Sequence, residues 1–463
     1  MNRRKLIAMG LVAAMTASLF AGCGSTGESG GDTSAKASST GRVYYLNMKP
    51  EVDGAWQDLA AKYTEETGVP VEVLTAASGT YNTTMAAEMA KDDAPTIFNV
   101  SKLDDAKTWN EYTYDMKNTS LYDHLSDKSL VIENDGKIAG VANCYECYGL
   151  IYNKKILEDY CSLDSAVVSS IDEINNFETL KAVCDDINSR VDEINDELGT
   201  DLTEAIASPG LDDGSSWRFS GHLTSIALYY QFRDAGCNLT AGQADVSDKY
   251  LDNMKNVWDM YITDTAANPS TLASGSLDAE SEFGMEEAVF YQNGDWEYSP
   301  LTNPENGYLI EEDDLAMMPI YYGVDDENEG LAVGTENYWG INSQASQEDI
   351  DASLAFLEWV ITSDEGRDAF TNQMGLTSTF DTFTGDYETS NKLAQCATKY
   401  VNDGKTSVAW SYNATPNVDE WRAGVVSALV AYSSGSGDWD GVVSAFVDGW
   451  AEQWALAHEG DAQ

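Results

Sequence analysis

Residues 41–100 read GRVYYLNMKPEVDGAWQDLAAKYTEETGVPVEVLTAASGTYNTTMAAEMAKDDAPTIFNV, and short apolar runs alternate there with helical patterns. Three runs rich in β-branched and aromatic residues predict strands, at 43–46, 69–74 and 96–100. Between them, apolar residues recur at helical spacing, and the first helix is predicted to begin at Asp53 and end at Gly68. Strands separated by helices of this length form βαβ units. We therefore expect a parallel sheet whose ligands gather at the carboxyl ends of its strands.

Beyond residue 152, longer helical patterns dominate the sequence. The tetrapeptide Ser170-Ile-Asp-Glu173 has capping-box spacing and predicts the start of a long helix whose apolar stripe runs to Leu198. Further strands are predicted at 288–291, 315–322 and 338–342, and further helices at 350–362, 421–432 and 439–457. The predicted fold class is α/β, with a second unit whose helices are longer than those of the first.

The composition excludes several classes of function. The chain has 463 residues, with 78 Asp and Glu against 26 Lys and Arg, so its formal net charge is −52. Nucleic-acid binding is excluded because that affinity comes from Lys and Arg that neutralise phosphates, and anionic lipid surfaces are disfavoured for the same reason. Since 43% of the residues are hydrophobic and 11% aromatic, the chain has enough apolar material to form folded domains rather than to stay disordered.

Residues 1–23 have the pattern of a bacterial export signal. Three basic residues, Arg3-Arg4-Lys5, precede an apolar run at 6–20 that is shorter than the roughly 20 residues that a transmembrane anchor needs. The segment Leu19-Phe-Ala-Gly-Cys23 resembles the lipobox of bacterial lipoproteins, which implies that Cys23 becomes the lipidated N-terminus. Residues 24–40 are rich in Gly, Ser and Thr and predict a flexible linker. We expect a lipid-anchored protein on the extracellular face of the cell membrane, or on the periplasmic face of a double-membraned envelope.

Cysteine and carboxylate patterns predict no metal and no cofactor. Six cysteines follow Cys23, and the sequence does not choose among their disulfide pairings. Cys144-Tyr-Glu-Cys147 has the spacing of half a zinc site, but the chain has no second such pair and only three histidines. Residues 325–336 have EF-hand spacing, yet Glu replaces the preferred Asp or Asn at two positions and the neighbours are predicted strands. A solvated acidic loop is the simpler interpretation.

Three segments, in this order along the chain, match the pattern of one known family. Residues 148–154 contain the pattern G-L-x-Y-N-K, residues 288–296 are similar to a strand and turn of pattern A-M-x-x-x-G-x-W, and residues 353–370 contain T-S-D-E-G. Together they resemble the extracellular solute-binding proteins of ABC sugar importers. The resemblance implies a monomer with a type II periplasmic-binding-protein fold, in which two α/β lobes joined by crossover hinge segments enclose a cleft. It implies a first lobe of residues 41–147 and 324–364, and a second lobe of residues 148–323 and 365–463.

A cleft that binds sugar needs flat aromatic rings against the C–H faces and planar polar side chains for the hydroxyls. The resemblance implies that Trp296 and Trp421 stack on sugar rings and that Glu146 accepts a hydrogen bond from a hydroxyl. Turn, strand-end and helix-start positions add eight further candidates: Trp217, Trp339, Asn47, Lys49, Tyr81, Asn99, Ser101 and His222.

Several functions are compatible with these residues. The resemblance favours a transport receptor that binds an extracellular carbohydrate, closes its lobes and delivers the sugar to an ABC permease. Clefts of aromatic and acidic residues also suit polyamines and other organic cations. A secreted glycan-active enzyme and a surface adhesin are further alternatives, although no nucleophile–base motif is present and no enzyme is expected. The acidic composition and the lack of an evident Arg clamp favour a neutral oligosaccharide over uronic or phosphorylated sugars.

Overall fold

Two β-sheets form the framework of the protein in a computed structural model, which describes residues 41–77, 79–240, 242–274 and 278–459. The predicted signal segment 1–23, its lipidation site Cys23 and the linker 24–40 lie outside the described residues. In the part of the chain that is described, no helix is long and apolar enough to cross a bilayer.

The first sheet is built around the strands that the opening stretch of sequence predicts. In order across the sheet, its strands are β2 (Val71–Thr75), β1 (Val43–Asn47), β3 (Ile97–Val100), β11 (Tyr338–Ile341), β5 (Lys137–Ala142) and β4 (Val131–Asn134). Strand β1 pairs in parallel with β2 and β3, and β11 is antiparallel to β3 and β5. The predicted strands and their parallel pairing are confirmed, and the carboxyl ends of β1 and β3 lie at the same edge of the sheet.

The second sheet is organised around one long strand. Its main path is β13 (Thr406–Ala409), β10 (Glu329–Gly334), β6 (Cys144–Asn153), β8 (Ala288–Gly294) and β7 (Glu204–Ala207). Two short strands, β9 (Leu315–Met318) and β12 (Thr377–Ser378), also pair with β6. Strand β6 begins two residues after the end of β5 and therefore carries the chain directly from the first sheet into the second.

Helices flank both sheets, which gives the two-lobed α/β architecture that the sequence predicts. Their bounds are α1 (Asp53–Thr67), α2 (Tyr81–Met89), α3 (Leu103–Thr108), α4 (Ser120–His124), α5 (Lys154–Cys161), α6 (Phe177–Ser189), α7 (Val191–Leu198), α8 (Thr224–Ala235), α9 (Leu251–Thr263), α10 (Pro269–Ser274), α11 (Ala279–Gly284), α12 (Tyr298–Thr302), α13 (Gln347–Thr362), α14 (Asp364–Asp368), α15 (Lys392–Asn402), α16 (Val418–Ser433) and α17 (Trp439–Ala457). The first core lies between the first sheet and α1 and α13, and the second core includes α6, α8, α9, α16 and α17.

The long helix predicted from Ser170 is wrong in its start and its continuity. Ser170 makes no side-chain cap, and only one 3₁₀ turn follows it. Helix α6 begins at Phe177 because the side chain of Asn176 accepts a hydrogen bond of 2.9 Å from the Thr179 amide, and an interruption at Arg190 separates α6 from α7. The apolar stripe is nevertheless buried as the spacing predicts.

The crossovers between the lobes differ from the predicted boundaries. Strand β10, within the segment 324–364 that was assigned to the first lobe, pairs with β6 and β13 in the second sheet. Phe380, within the segment 365–463 that was assigned to the second lobe, is buried in the first core and stacks on Trp339 with 6.0 Å between ring centroids. We therefore propose crossovers near residues 143, 335 and 385.

The six cysteines among the described residues carry free thiols: Cys144, Cys147, Cys161, Cys184, Cys237 and Cys396. Burial raises the pKa of the Cys144, Cys147 and Cys184 thiols well above the usual range, because a thiolate is poorly solvated in the core. These three side chains therefore act as small hydrophobic residues.

Candidate ligand-binding site

A cleft of about 970 Å³ lies between the two lobes and brings together residues that are far apart in the sequence. The first lobe contributes the loops after β1 and β3 and the start of α2. The second lobe contributes the loop after β8, the start of α16 and the residues between β13 and α16. The lining residues used below are Lys49, Glu51, Tyr81, Ser101, Glu146, Trp217, Arg218, His222, Trp296, Glu297, Glu336, Asn337, Trp410, Tyr412 and Arg422.

Five rings of the second lobe form one side of the cleft, which we call the aromatic wall: Trp217, His222, Trp296, Trp410 and Tyr412. The ring centroids of Trp217 and Trp296 are 5.7 Å apart, and those of His222 and Trp410 are 4.8 Å apart. Trp410 stacks on Tyr412 at 5.8 Å. Rings at these separations support one another, so the wall is a connected surface that is formed before any ligand arrives.

Two glycines allow tryptophans of the aromatic wall to lie directly against the backbone. A Cβ atom at Gly294 would lie 2.2 Å from the ring of Trp296, and one at Gly334 would lie 2.5 Å from the ring of Trp410. No side chain fits at such distances, so each ring occupies space that only glycine leaves open. The positions of both rings therefore depend on the last residues of β8 and β10.

We expect Gly334→Ala to displace the Trp410 ring and to weaken ligand binding, since overpacking of this kind typically costs about 1–3 kcal/mol. Tryptophan fluorescence and ligand titration measure the displacement and the loss of affinity. Gly54→Ala is a matched control, because a Cβ atom at this helical position meets nothing within 4 Å. Equal ligand affinities in Gly334→Ala and wild type would contradict the role given to Gly334.

One turn of π-helix, Arg218–Leu223, leads into α8 and positions two polar residues of the cleft. The guanidinium carbon of Arg218 lies 4.3 Å from the ring centroid of Trp217, and Arg218 Nη2 is 3.9 Å from Glu297 Oε1. A π-turn inserts an extra residue into a helix and is frequent at functional sites. Here it brings Arg218 and His222, four residues apart, to the same cleft.

His222 is almost fully buried and stacks on Tyr148 with 3.9 Å between ring centroids. Its Nδ1 atom has no hydrogen-bond partner among the described residues. Burial, followed by the positive charges of Arg422 and Arg218, holds the pKa of His222 well below its usual range. The imidazole is therefore neutral at neutral pH.

A network of ion pairs and one hydrogen bond within the cleft joins Lys49 and Glu51 of the first lobe to Glu146 and Asn337 of the crossover segments. Lys49 Nζ lies 2.5 Å from Glu146 Oε1 and 2.8 Å from Glu51 Oε1. Asn337 Nδ2 donates to Glu146 Oε2 at 2.6 Å. Burial alone would lower the pKa of Lys49, but Glu146 and Glu51 outweigh it and hold that pKa well above the usual value. Lys49 also lies 5.6 Å from the ring centroid of Trp296, across the cleft.

Glu297 is a buried carboxyl beside the aromatic wall. It accepts a hydrogen bond of 2.7 Å from Asn293 Nδ2. Burial raises its pKa from 4.5 to about 8, although Arg218 opposes the shift. Between these two values the unfolded chain loses a proton that the folded chain keeps, so this group destabilises the folded state progressively as the pH rises from about 4.5 to about 8.

We expect Glu297→Gln to gain stability relative to wild type as the pH rises from 5 to 8, by at least about 1 kcal/mol over that interval. Glutamine keeps an oxygen that can accept from Asn293 and cannot ionise. Urea unfolding of both proteins at pH 5, 6.5 and 8 measures the difference. A stability difference that stays constant over this interval would show that Glu297 does not titrate there.

Sequence comparison identifies the family. The profile described as bacterial extracellular solute-binding protein matches residues 58–395, well over half of the chain. The chain belongs to this family. Its members bind solutes outside the cell and are not described as enzymes. No curated protein matches the chain by sequence.

Solved structures share the fold of this solute-binding protein. RafE in complex with raffinose has a TM-score of 0.66 and 14% identity, over 89% of this chain and 100% of that chain. The apo-form of RafE from Streptococcus pneumoniae has a TM-score of 0.62 and 13% identity, over 90% and 99%. Maltose-bound MalE3 of T. maritima has a TM-score of 0.62 and 15% identity, also over 90% and 99%. At these identities the likeness establishes the fold.

Seven of the eleven side chains predicted for the site of this solute-binding protein line the cleft: Trp296, Trp217, Glu146, Lys49, Tyr81, Ser101 and His222. They come from both lobes and from the crossover strand β6. Among the described residues, no group of three or more His, Cys, Asp and Glu has an arrangement that could hold a metal ion.

Two predicted tryptophans are core residues instead. Trp339 is fully buried in the first core, and its Nε1 lies 3.3 Å from the Tyr45 hydroxyl. Trp421 is 1% exposed, and its Nε1 donates to the Phe446 carbonyl at 3.0 Å. Each lies next to polar residues that line the cleft. The side chain of Trp339 on β11 and that of Trp421 on α16 nevertheless point into the core. We remove both from the proposed site.

Two predicted asparagines lie behind the cleft and position residues that line it. Asn47 Nδ2 donates to the Lys49 carbonyl at 2.8 Å, and Asn47 Oδ1 accepts from the Lys49 amide at 3.1 Å. The backbone N–H of Asn99 donates a hydrogen bond of 2.7 Å to the Tyr81 hydroxyl. Both asparagines are buried, so we assign them to the support of Lys49 and Tyr81.

Eight of the fifteen lining residues named above were not predicted from the sequence: Glu51, Arg218, Glu297, Glu336, Asn337, Trp410, Tyr412 and Arg422. Trp410 and Tyr412 follow β13, and strand ends collect ligand contacts, so recognition of that strand would have identified them. That strand reads Thr-Ser-Val-Ala and is too short and polar to be predicted. Arg422 lies in the second turn of α16 and carries no such signal.

Proposed function

We propose that this solute-binding protein binds an oligosaccharide in the interlobe cleft and delivers it to the permease of an ABC importer. The aromatic wall is the observation that carries the proposal. It presents several large rings in one surface, and the opposite side of the cleft supplies Ser101 and Asn337, which can hydrogen-bond hydroxyls. Similar folds hold raffinose in RafE and maltose in MalE3, which supports the same class of ligand here.

The size of the cleft favours an oligosaccharide over a single sugar. A volume of about 970 Å³ lies at the upper end of the range for small-molecule sites. Trp217 and Trp410 flank Trp296, so more than one sugar ring can lie along the aromatic wall. Since the ligand contacts both lobes at once, binding favours the arrangement in which the lobes are closed.

The charges in the cleft argue against the alternative of a polyamine or another organic cation. Such a ligand needs carboxylates that are free to pair with it. Glu146 already pairs with Lys49, and Glu297 lies 3.9 Å from Arg218. Lys49 therefore compensates Glu146, and because burial raises the pKa of Glu297 to about 8, that group is largely protonated at neutral pH. Burial also raises the pKa of Glu336, which lies beside Tyr412 of the aromatic wall.

The proposal includes the location of the protein. The family is extracellular, and the sequence of residues 19–23 supports lipidation at Cys23, with residues 24–40 as a tether and the protein as a monomer. Lipid anchoring would keep the receptor close to its permease. Removal of residues 1–22 takes away three basic residues and no acidic one, which changes the net charge from −52 to −55, with 23 basic against 78 acidic residues. Electrostatic repulsion between such receptors favours a dispersed domain.

Titration of the purified protein with mono- and oligosaccharides and with spermidine, followed by tryptophan fluorescence, tests the binding proposal. We expect saturable binding of at least one oligosaccharide and none of spermidine. Binding of spermidine without any sugar would refute the proposal. Hydrolysis of a bound glycoside would favour the enzyme alternative. Uptake of the labelled oligosaccharide by cells, lost when the gene is deleted, separates a transport receptor from an adhesin.

A further inference from the structure

Arginine is scarce in this protein, and the cleft contains a large share of it. Beyond residue 40 the sequence has six arginines, at 42, 190, 218, 233, 367 and 422, in a chain of net charge −52. Two of them, Arg218 and Arg422, line the cleft beside the aromatic wall. The sequence favoured a neutral ligand partly because no pair of arginines that could bind an anion was evident in it. The presence of two arginines in the cleft is a reason to reconsider the charge of the ligand.

Among the described residues, Arg422 makes no ion pair within 4 Å, although burial raises the pKa of the cleft residue Glu336 and the charge of Arg422 lowers it. Lys49 pairs with Glu51 and Glu146, and Arg218 lies 3.9 Å from Glu297. The one hydrogen bond of Arg422 runs from Nε to Ser220 Oγ, at 3.1 Å. This bond holds the guanidinium beside the π-turn and leaves its two terminal nitrogens without a partner in the described protein.

The charge of Arg422 acts on His222 and on Glu336, and two N–H groups of the same cleft lack a hydrogen-bond partner among the described residues. Trp410 Nε1 and Arg218 Nε are both buried without a partner in the described part of the chain. Trp410 is 2% exposed, and His222, whose Nδ1 is also without a partner, lies 4.8 Å from it between ring centroids. Indole and guanidinium N–H groups cannot accept, so they are best matched by a group that only accepts. A carboxylate is such a group, whereas a sugar hydroxyl both donates and accepts.

The lowered pKa of His222 shows that the two arginines of the cleft create a positive electrostatic potential at its imidazole. After burial, the positive charges of Arg422 and Arg218 are the next causes that lower this pKa. Both guanidinium groups therefore act on the same point of the cleft, despite the strongly acidic surface of the protein.

We infer that the oligosaccharide carries a carboxylate, as a uronic or sialic acid residue does, and that the two terminal nitrogens of Arg422 bind it. The inference rests on the proposed function. A guanidinium whose two terminal nitrogens make no hydrogen bond within the described protein matches a monoanion in charge and in its planar, bidentate geometry. A dianionic phosphate fits less well, because Glu336 and the exposed Asp419 line the same cleft and oppose a second negative charge.

The test compares pairs of sugars that differ by one carboxylate only: 3′-sialyllactose and its carboxyl amide, and glucuronate-branched xylotriose and the same sugar with that carboxylate reduced to the alcohol. We expect the acidic member of at least one pair to bind about tenfold or more tightly than its neutral partner, and the preference to fall as salt is raised. The glucuronate pair against the sialic acid pair identifies the source of the carboxylate.

Variants then assign the preference to one side chain. Arg422→Gln should lower affinity for the acidic sugar about 10- to 100-fold and leave affinity for the neutral partner within about threefold. Arg422→Lys keeps the positive charge but loses the planar guanidinium that can donate two parallel hydrogen bonds. It should retain part of the preference for the acidic sugar. Arg190→Gln, the same change at a surface ion pair outside the cleft, is the matched control. Thermal melting checks that each variant is folded.

Three outcomes would overturn the inference. If a neutral sugar binds more tightly than every acidic one, the inference that the ligand carries a carboxylate is refuted and the proposed function stands. Equal losses for acidic and neutral sugars in Arg422→Gln would make Arg422 a general contact. No binding of any sugar would refute the proposed function and this inference with it.

Discussion

Trp296→Ala is expected to lower affinity for the bound oligosaccharide roughly 30- to 150-fold, which corresponds to about 2–3 kcal/mol. Trp296 contacts Trp217 and Trp410 within the aromatic wall and faces Lys49 of the first lobe. Removal of the Trp296 ring therefore removes a surface on which a sugar can stack and separates Trp217 from Trp410 within the aromatic wall. The rest of the wall is held by Gly334, by the π-turn and by β13, so the fold should stay intact.

Titration calorimetry of Trp296→Ala against wild type measures this loss, and circular dichroism checks the fold. Trp454→Ala is a suitable control, because Trp454 is also partly buried but stacks on Trp450 and His458 in the last helix. The control should bind like wild type. Wild-type affinity in Trp296→Ala would remove the residue on which the proposed site chiefly depends.

Lys49→Met is expected to destabilise the protein by about 3 kcal/mol, because it leaves Glu146 buried without its cation. The Glu146 side chain is 6% exposed and that of Lys49 is 13% exposed, so water cannot replace the lost charge effectively. Breaking a fully buried pair costs about 3–5 kcal/mol, and the residual exposure of Lys49 favours the lower end of that range.

The double variant Lys49→Met, Glu146→Gln should recover most of this stability. Glutamine at 146 can still accept from Asn337 Nδ2 and no longer carries a charge. Urea unfolding of the wild type, the two single variants and the double variant gives the coupling energy between the side chains. If the double variant is as unstable as Lys49→Met alone, the cost lies in lost packing and not in the stranded carboxylate.

The sequence predicts the first lobe well because its signals are local. Strands β1, β2 and β3 are short apolar runs, and helix α1 ends at Thr67. Gly68 caps it with a φ of +76°, a conformation that glycine readily adopts. The order of these elements is sufficient to predict parallel pairing. The long helix from Ser170 fails because an asparagine cap at Asn176 and a break at Arg190 act within a continuous apolar stripe.

The predicted residues that line the cleft follow a recognisable strand, lie at the start of a helix or match a family segment. Trp296 and Glu146 meet that condition, and both line the cleft. Trp410 follows a strand too short and polar to detect. Trp421 and Arg422 are neighbours on α16, yet the first faces the core and the second the cleft, because adjacent residues on a helix point about 100° apart.

The net charge describes the surface of this protein, and the cleft has its own local balance of charged side chains. A charge of −52 predicts repulsion of anionic ligands at long range. That effect is screened over about 10 Å at moderate ionic strength. Inside the cleft the two nearest arginines matter more, because they act over short distances and in a poorly hydrated environment. Long-range and local electrostatics therefore need separate treatment in such acidic receptors.

A crystal structure of the protein with the oligosaccharide that binds most tightly tests the central claim most directly. We expect sugar rings stacked on Trp296 and Trp217, hydroxyls within hydrogen-bond distance of first-lobe side chains, and contact with both lobes. An oligosaccharide bound on an outer face of either lobe, with the cleft between Lys49 and Trp296 unchanged, would contradict it.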